Sequence, residues 1–218
     1  MLTKIGAAVR KLFAPEYPDG YPQQPQVNNR GDLIVVQGLP PFAELTRLGQ
    51  AWSVAIATGS AFAPVAAWPT TLANIVLYNG NPAGGKSLVI DSIWASAITS
   101  IAAASSFTLL AQISNAGVAA PTNDTAQLIT GKAGLTYAGL AKRAVANTAF
   151  MIANKWTVVG QSSGHPATAI GAGAFADIAG RLIVPPGACL GVNVVASTAA
   201  GTMVQGIDWY EVQLALGS

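Results

Sequence analysis

The sequence predicts an all-β protein: an antiparallel, jelly-roll-like β-sandwich behind an N-terminal arm made of a short helix and a Pro-rich extended segment. Three observations lead there. Apolar residues alternate with small or polar ones at a period of two in one segment after another. Gly, Pro and Asn punctuate those segments, with 23 Gly and 13 Pro in 218 residues. No part of the body shows a convincing helical period, so the crossovers that parallel strands need are missing and antiparallel pairing follows. Many short strands without helices between them fit a two-sheet jelly roll at this length.

The arm comprises residues 1–32. Leu2, Ile5, Val9 and Leu12 recur at spacings that set them on one stripe of a short helix, with Lys4 and Lys11 off it. Pro15 stops that helix. Pro15, Pro18, Pro22 and Pro25 are then interleaved with Tyr17, Tyr21, Gln and Asn up to Asp32, a composition that favours an extended, polyproline-like chain. Such an arm either folds back on its own domain or docks on another subunit. Its candidates for anchoring a partner are Leu2, Ile5, Val9, Leu12, Phe13, Tyr17 and Tyr21.

The body, residues 33–218, opens with the β-branched run 33–36. Leu48, Trp52, Val54 and Ile56 then form a large face opposite the small face of Gly49, Ala51, Ser53, Ala55 and Ala57. Further strands are expected at 74–78, 88–94, 106–114, 145–153, 156–160, 182–184 and 188–196. The last, 208–216, puts Tyr210, Val212, Leu214 and Leu216 on one face and Trp209, Glu211 and Gln213 on the other. Residues 138–150 have some helix propensity, but their Val and Thr content and the glycines at 131–139 argue against a helix.

Charge is scarce: 11 Lys and Arg against 9 Asp and Glu, 9% of the residues, for a net +2. An average soluble domain carries about 25%. High apolar content with so little charge excludes disorder for most of the chain, and the near-neutral balance excludes a surface-wide nucleic-acid footprint. One Cys and one His rule out an intramolecular disulfide and a Cys/His zinc site. The uncharged run 92–123 is long enough to span a bilayer. Ser and Thr recur in it, however, and its second half alternates, with Phe107, Leu109, Ala111 and Ile113 on one face, so a strand is expected and not a membrane helix. Arg10 and Lys11 interrupt the place where a secretory core would sit, so synthesis in the cytoplasm is expected. Ala, Ser, Gly and Thr fill outward sheet positions where Lys and Glu usually guard against sticking. That predicts a homo-oligomer whose sheets are covered by neighbours.

Residues 80–87, GNPAGGKS, match the phosphate-cradling pattern G-x-x-x-x-G-K-[ST]. Its chemistry needs a strand before and a helix after. The β-branched run 88–94 follows instead, and turn chemistry at Asn79-Gly80, Pro82 and Gly84-Gly85 explains the same residues, with Lys86 a solvated loop-end charge. A nucleotide hydrolase using Lys86 and Ser87 is the enzyme alternative; the expectation is a protein that is not an enzyme and uses no cofactor or metal. Arg30-Gly31-Asp32 resembles an integrin-binding tripeptide but makes an ordinary turn. Asn123-Asp124-Thr125 fits a glycosylation acceptor, which matters only in a secreted protein. His165, within 162–166, reads as a loop histidine with no partner to name. Cys189 faces away from Leu190, Val192 and Val194 and reads as a small packing residue rather than a reactive thiol. Lys4, Arg10 and Lys11 make too small a cluster for specific nucleic-acid binding. Docking the apolar stripe in a protein groove, at about 1.5–3 kcal/mol per buried anchor, is the stronger reading.

The segments 181–187 (RLIVPPG), 190–195 (LGVNVV) and 209–212 (WYEV) are similar to the ending of jelly-roll structural proteins of tailed bacteriophages. In those a strand reaches a Pro-Pro-Gly turn, a small-residue strand follows, and a last strand carries an aromatic before Glu-Val. The rest of the chain is similar only in strand rhythm. The resemblance implies a virion component made in the host cytoplasm, either a capsid decoration (cement) protein or a head attachment protein. Its partners would be the major capsid protein and other virion proteins, in a homo-oligomer for which a trimer is favoured. It brings no catalytic residues with it. The binding-class alternative is a receptor- or glycan-binding head of a fibre or adhesin. Trp52, Trp68, Trp94, Trp156 and Trp209 are its candidate tools, although Trp52 shares a strand face with Val54, where burial is expected.

Overall fold

The computed structural model describes residues 42–56, 61–101, 103–115, 129–147, 150–167 and 170–214. The arm with all its anchoring candidates, from Leu2 to Tyr21, lies outside them, as do Arg30-Gly31-Asp32, the run 33–36 and Asn123. A five-residue helix, α1 (Ala43–Arg47), precedes eleven strands: β1 (Ala51–Ala55), β2 (Ala73–Asn79), β3 (Lys86–Ala97), β4 (Ser105–Ser114), β5 (Thr130–Gly131), β6 (Ala141–Asn147), β7 (Thr157–His165), β8 (Gly173–Asp177), β9 (Ile183–Val184), β10 (Cys189–Ala196) and β11 (Met203–Gln213).

The strands form two antiparallel sheets. The first has the order β5-β1-β11-β3-β8, with β9 also paired to β3; the second has the order β6-β2-β10-β4-β7. The expected β-sandwich is therefore the fold. With β5, β6 and the short β9 set aside, each successive strand crosses to the other sheet, except that β7 lies beside β4.

Period-two alternation explains which face of each strand turns inward. Trp52, Val54, Leu88, Ile90, Ile93, Ile207 and Trp209 of the first sheet meet Ile75, Leu77, Phe107, Leu109, Leu190, Val192 and Val194 of the second, all of them buried. Each such large side chain contributes about 1.5–3 kcal/mol when fully withdrawn from water. The two sides of the sandwich are tied by polar side chains that reach across it. On one side Arg143 of β6, itself buried, donates from Nη1 to the carbonyl of Ala55 in β1 at 2.9 Å. On the other, Ser162 Oγ of β7 donates to the carbonyl of Gly173 in β8.

The outer face of the second sheet is covered in part by the chain itself. Phe150, Met151 and Trp156 pack on Val76, Leu110 and Cys189. The Gln112 side chain pins this cap: its Nε2 donates to the Ile152 carbonyl at 2.8 Å and its Oε1 accepts from the Ile152 N–H at 2.6 Å. Trp156 Nε1 donates to the Thr70 carbonyl at 2.8 Å. Gly191 leaves room beneath the cap, since a Cβ there would overlap the Met151 thioether unless that side chain moved.

Several element boundaries differ from the sequence reading. Residues 43–47 are helical, where no helix was expected in the body, and Leu48 stands in the turn after them, half exposed. Glu44 in the first turn of this helix and Arg47 in the last pair with each other, which suits the helix dipole. The expected strand at 145–153 divides into the end of β6 and the cap, because Phe150 and Met151 turn down onto the second sheet. Residues 162–165, read as a loop, are the second half of β7, and His165 is its last residue. β8 was not expected at all, since GAFAD offers one large side chain among small ones. Among the described residues no helix is long and apolar enough to cross a membrane.

Candidate binding face

The outer face of the first sheet carries two cross-strand rows of different character. Ser53, Asp208, Ser92 and Asp177 are register partners across β1, β11, β3 and β8. One step along the strands the row is Ala55, Gly206, Trp94 and Phe175. A bulge in the β3–β11 pairing lies beside the first row, and it is there that Asp91 is inserted opposite no residue of β11.

The acidic row is latched. Lys132, in the turn that follows β5, places Nζ 3.7 Å from Asp91 Oδ2 and 3.5 Å from Asp208 Oδ1. Ser92 Oγ donates to Asp208 Oδ2 at 2.6 Å. The Tyr210 hydroxyl points at Asp91 Oδ2, 3.5 Å away, and burial together with the Asp91 charge pushes this phenol up to about 12. Asp177 stands exposed at the end of the row.

The aromatic row is open. The Trp94 indole lies close over Gly206, where a Cβ would overlap the ring. Its register partner Phe175 is 64% exposed. Ala174 and Ala176 turn inward on either side of it, so the one large residue of β8 points to water and the small ones to the core. That inversion is why period-two reasoning passed over β8; a lone Phe between alanines is the signal that was available.

Of the tryptophans, Trp52, Trp156 and Trp209 are buried, as expected for Trp52. Trp68 is 51% exposed and Trp94 is partly exposed, so these two can meet a partner. Trp68 and the half-exposed Leu72 belong to the segment leading into β2, which the Trp156–Thr70 bond holds beside the cap.

Residues 80–85 of the motif form the turn between β2 and β3, and its Lys86 and Ser87 open β3. β3 follows it where a helix would be needed, and two of its glycine amides are engaged within the fold: Gly80 N–H donates to the Leu140 carbonyl and Gly85 N–H to the Pro82 carbonyl. Asn79 holds the turn from inside, donating from Nδ2 to the carbonyls of Lys86 (2.9 Å) and Val184 (3.0 Å) and accepting at Oδ1 from the N–H and Nδ2 of Asn81. Ser87 is buried.

His165 does have a partner: its Nε2 lies 2.9 Å from Ser162 Oγ. Because Ser162 donates its proton to the Gly173 carbonyl, the ring must donate to the hydroxyl, the reverse of what activates a serine. The pair therefore strengthens the β7–β8 tie, and the ring packs 5.4 Å from Phe107. Cys189 is buried under the cap, and burial pushes its thiol up to about 11, as a packing residue requires. Among the described residues no three His, Cys, Asp or Glu side chains are grouped to hold a metal ion.

No protein-family model matches the chain. No curated protein matches it either. Among solved structures it is similar to a chain from the cryo-electron microscopy structure of mud crab dicistrovirus, at 13% identity and a TM-score of 0.22, over 100% of this chain and 92% of that one. A similarity of that size defines no shared fold.

Proposed function

We propose that the chain is a structural component of a virus particle, a β-sandwich subunit that works by associating with its neighbours. One observation carries this reading: Phe175, Ile170 and Trp68 are 64%, 73% and 51% exposed in a sandwich that has little charge to keep such surface apart from other chains. The strand order supports the jelly-roll form of the sandwich, since, with β5, β6 and β9 set aside, an alternation between sheets broken only at β4 and β7 is the wiring of two Greek keys, and that architecture is used by capsid and lectin domains. The step from fold to role is one of analogy. Within it, a capsid decoration protein is the preferred form, with the major capsid protein as partner, residues 1–32 as the anchoring arm and a trimer as the favoured oligomer.

The test is cosedimentation with virus particles of the full chain and of a full-length variant with Leu2, Ile5, Val9 and Leu12 all changed to Asp, alongside sedimentation equilibrium of each alone. The reading expects self-association of the wild type and particle binding that the arm variant loses. A monomeric wild type, with both proteins equally indifferent to particles, would overturn it.

A second reading, a glycan-binding head, is favoured by the partly exposed Trp94 indole, close over Gly206 and beside exposed Phe175, since exposed aromatic rings are what a sugar stacks on. A glycan array without hits that Trp94→Ala removes would set it aside.

A further inference from the structure

The two outer faces of the sandwich differ in charge. Around the aromatic row of the first sheet stand Asp91, Asp177 and Asp208, balanced in part by Lys132 and by Arg181 in the turn before β9. On the second sheet's outer side, the described residues contribute Lys142, the cross-strand partner of Tyr78, and the exposed Lys155 of the cap, and no acidic residue. Each side also leaves large apolar side chains in water: Phe175 on the first and Val158 on the second, where Trp68 and Leu72 belong to the segment that the Trp156–Thr70 bond holds beside the cap. Val158 belongs to the second side because its register partner Leu110 packs in the cap cluster.

We infer that the first-sheet face of one copy stacks on the second-sheet face of another, head to tail, with a second copy of this chain as the partner. This rests on the proposed assembly role and adds its geometry. Apolar surface meets apolar surface in any pairing of these faces, so charge decides among them. A first-sheet face turned on itself brings two net-negative surfaces together, and a second-sheet face turned on itself brings Lys142 and Lys155 against an equally positive surface. The unlike pairing sets the net-negative face, three Asp against Lys132 and Arg181, on the net-positive one with Lys142 and Lys155, and like charges held opposite one another are disfavoured. Unlike faces meeting make a heterologous contact, which closes into a ring or continues as an open filament. Edge-to-edge pairing through β7 is the poorer route. β7 has extra residues at two places against β4, where the register slips between Leu109 and Leu110 and between Ser105 and Phe107, and such bulges spoil an edge as a template.

Phe175→Asp and Trp68→Asp, each in the full chain, test the pairing by mixing, with mass read by sedimentation equilibrium. Both positions are more than half exposed, so thermal melts should match wild type within a few degrees; if either variant melts early, Phe175→Ser or Trp68→Ser replaces it. Each variant alone should lose the wild-type oligomer, and an equimolar mixture should form a dimer, because each keeps the face the other has lost. A charge arm uses the same logic: Lys155→Glu should weaken association about tenfold, and mixing it with Asp177→Lys should recover it. Variants that stay monomeric when mixed, or a single variant that assembles like wild type, would overturn head-to-tail stacking and leave the assembly role standing. A wild type that is monomeric at every concentration would overturn both.

Discussion

Removing one hydroxyl, in Tyr137→Phe, tests how the end of the sandwich is closed. Tyr137 OH donates to Glu211 Oε1 at 2.6 Å and accepts from the Ala141 N–H at 2.7 Å. Glu211 is 3% exposed and points inward; its other described side-chain contact is Trp209 Nε1 at 3.5 Å. Phenylalanine keeps the edge-on packing against Trp52, with centroids 4.7 Å apart, so the substitution isolates the hydroxyl. A hydrogen bond to a carboxylate contributes about 1.5–3 kcal/mol, and a buried N–H left without an acceptor costs about 1–3 kcal/mol. The two effects overlap in a relaxed variant, so a loss of about 3 kcal/mol is expected, or a fall in Tm of roughly 6–12 °C for a domain of this size. Urea unfolding at pH 7, followed by tryptophan fluorescence, measures it. Glu211→Gln keeps an acceptor for the hydroxyl and should cost less than Tyr137→Phe. A loss below about 0.5 kcal/mol for Tyr137→Phe, within the range of ordinary surface changes, would refute the argument that this hydroxyl closes the core.

Three further outcomes are expected. Gly191→Ala should destabilise by about 1–3 kcal/mol through overlap with Met151, and Gly191→Ala combined with Met151→Ala should lose less than the sum of the two single variants, in the same urea assay. The Cys189 thiol, raised to about 11 by burial, should react with a disulfide reagent at pH 8 at least about 100-fold more slowly in the native protein than in denaturant. Tyr210 is raised from 10.0 to about 12 by burial and by Asp91, so the folded state holds a proton that the unfolded chain releases first. Its contribution to stability is therefore complete below pH 10 and lost as the pH rises toward 12; between pH 10 and 12 the urea midpoint should fall less steeply in Tyr210→Phe than in the wild type.

What the sequence made legible was the layer architecture, because alternation reports burial on one face directly. β2, β3, β4 and β10 were found where Ile75, Ile90, Phe107 and Val192 alternate with smaller neighbours. The elements it hid are those whose side chains break the rule. β8 turns Ala174 and Ala176 inward and Phe175 outward, and the second half of β7 has no large apolar residue to alternate. The cap was hidden for a different reason: Phe150, Met151 and Trp156 are spaced irregularly, and what makes them a cap is the distant Gln112 side chain and the absence of one at Gly191. The candidate face was only half visible. Trp94 could be named, but its openness depends on Gly206 and Phe175, brought beside it by strands far apart in the chain.

The scarcity of charge can be traced to particular places. Arg143 and Glu211 are buried inside the sandwich, Lys132 sits between Asp91 and Asp208, and Glu44 and Arg47 pair on α1. Those groups are already engaged within the chain and are poorly placed to shield a sheet face from another chain. The outward positions that remain, Ala55, Ser96, Gly173 and Val204 around Trp94, carry no charge to shield it with. Low charge is thus a property of the surface more than of the core, and the cap answers for only one of the two outer faces. If the open face were merely tolerated, Ser96→Lys beside Trp94 would leave self-association unchanged and simply raise solubility. If the face is an interface, the same lysine must weaken association while the melt stays where it was, a separation that sedimentation and thermal unfolding of one variant can measure.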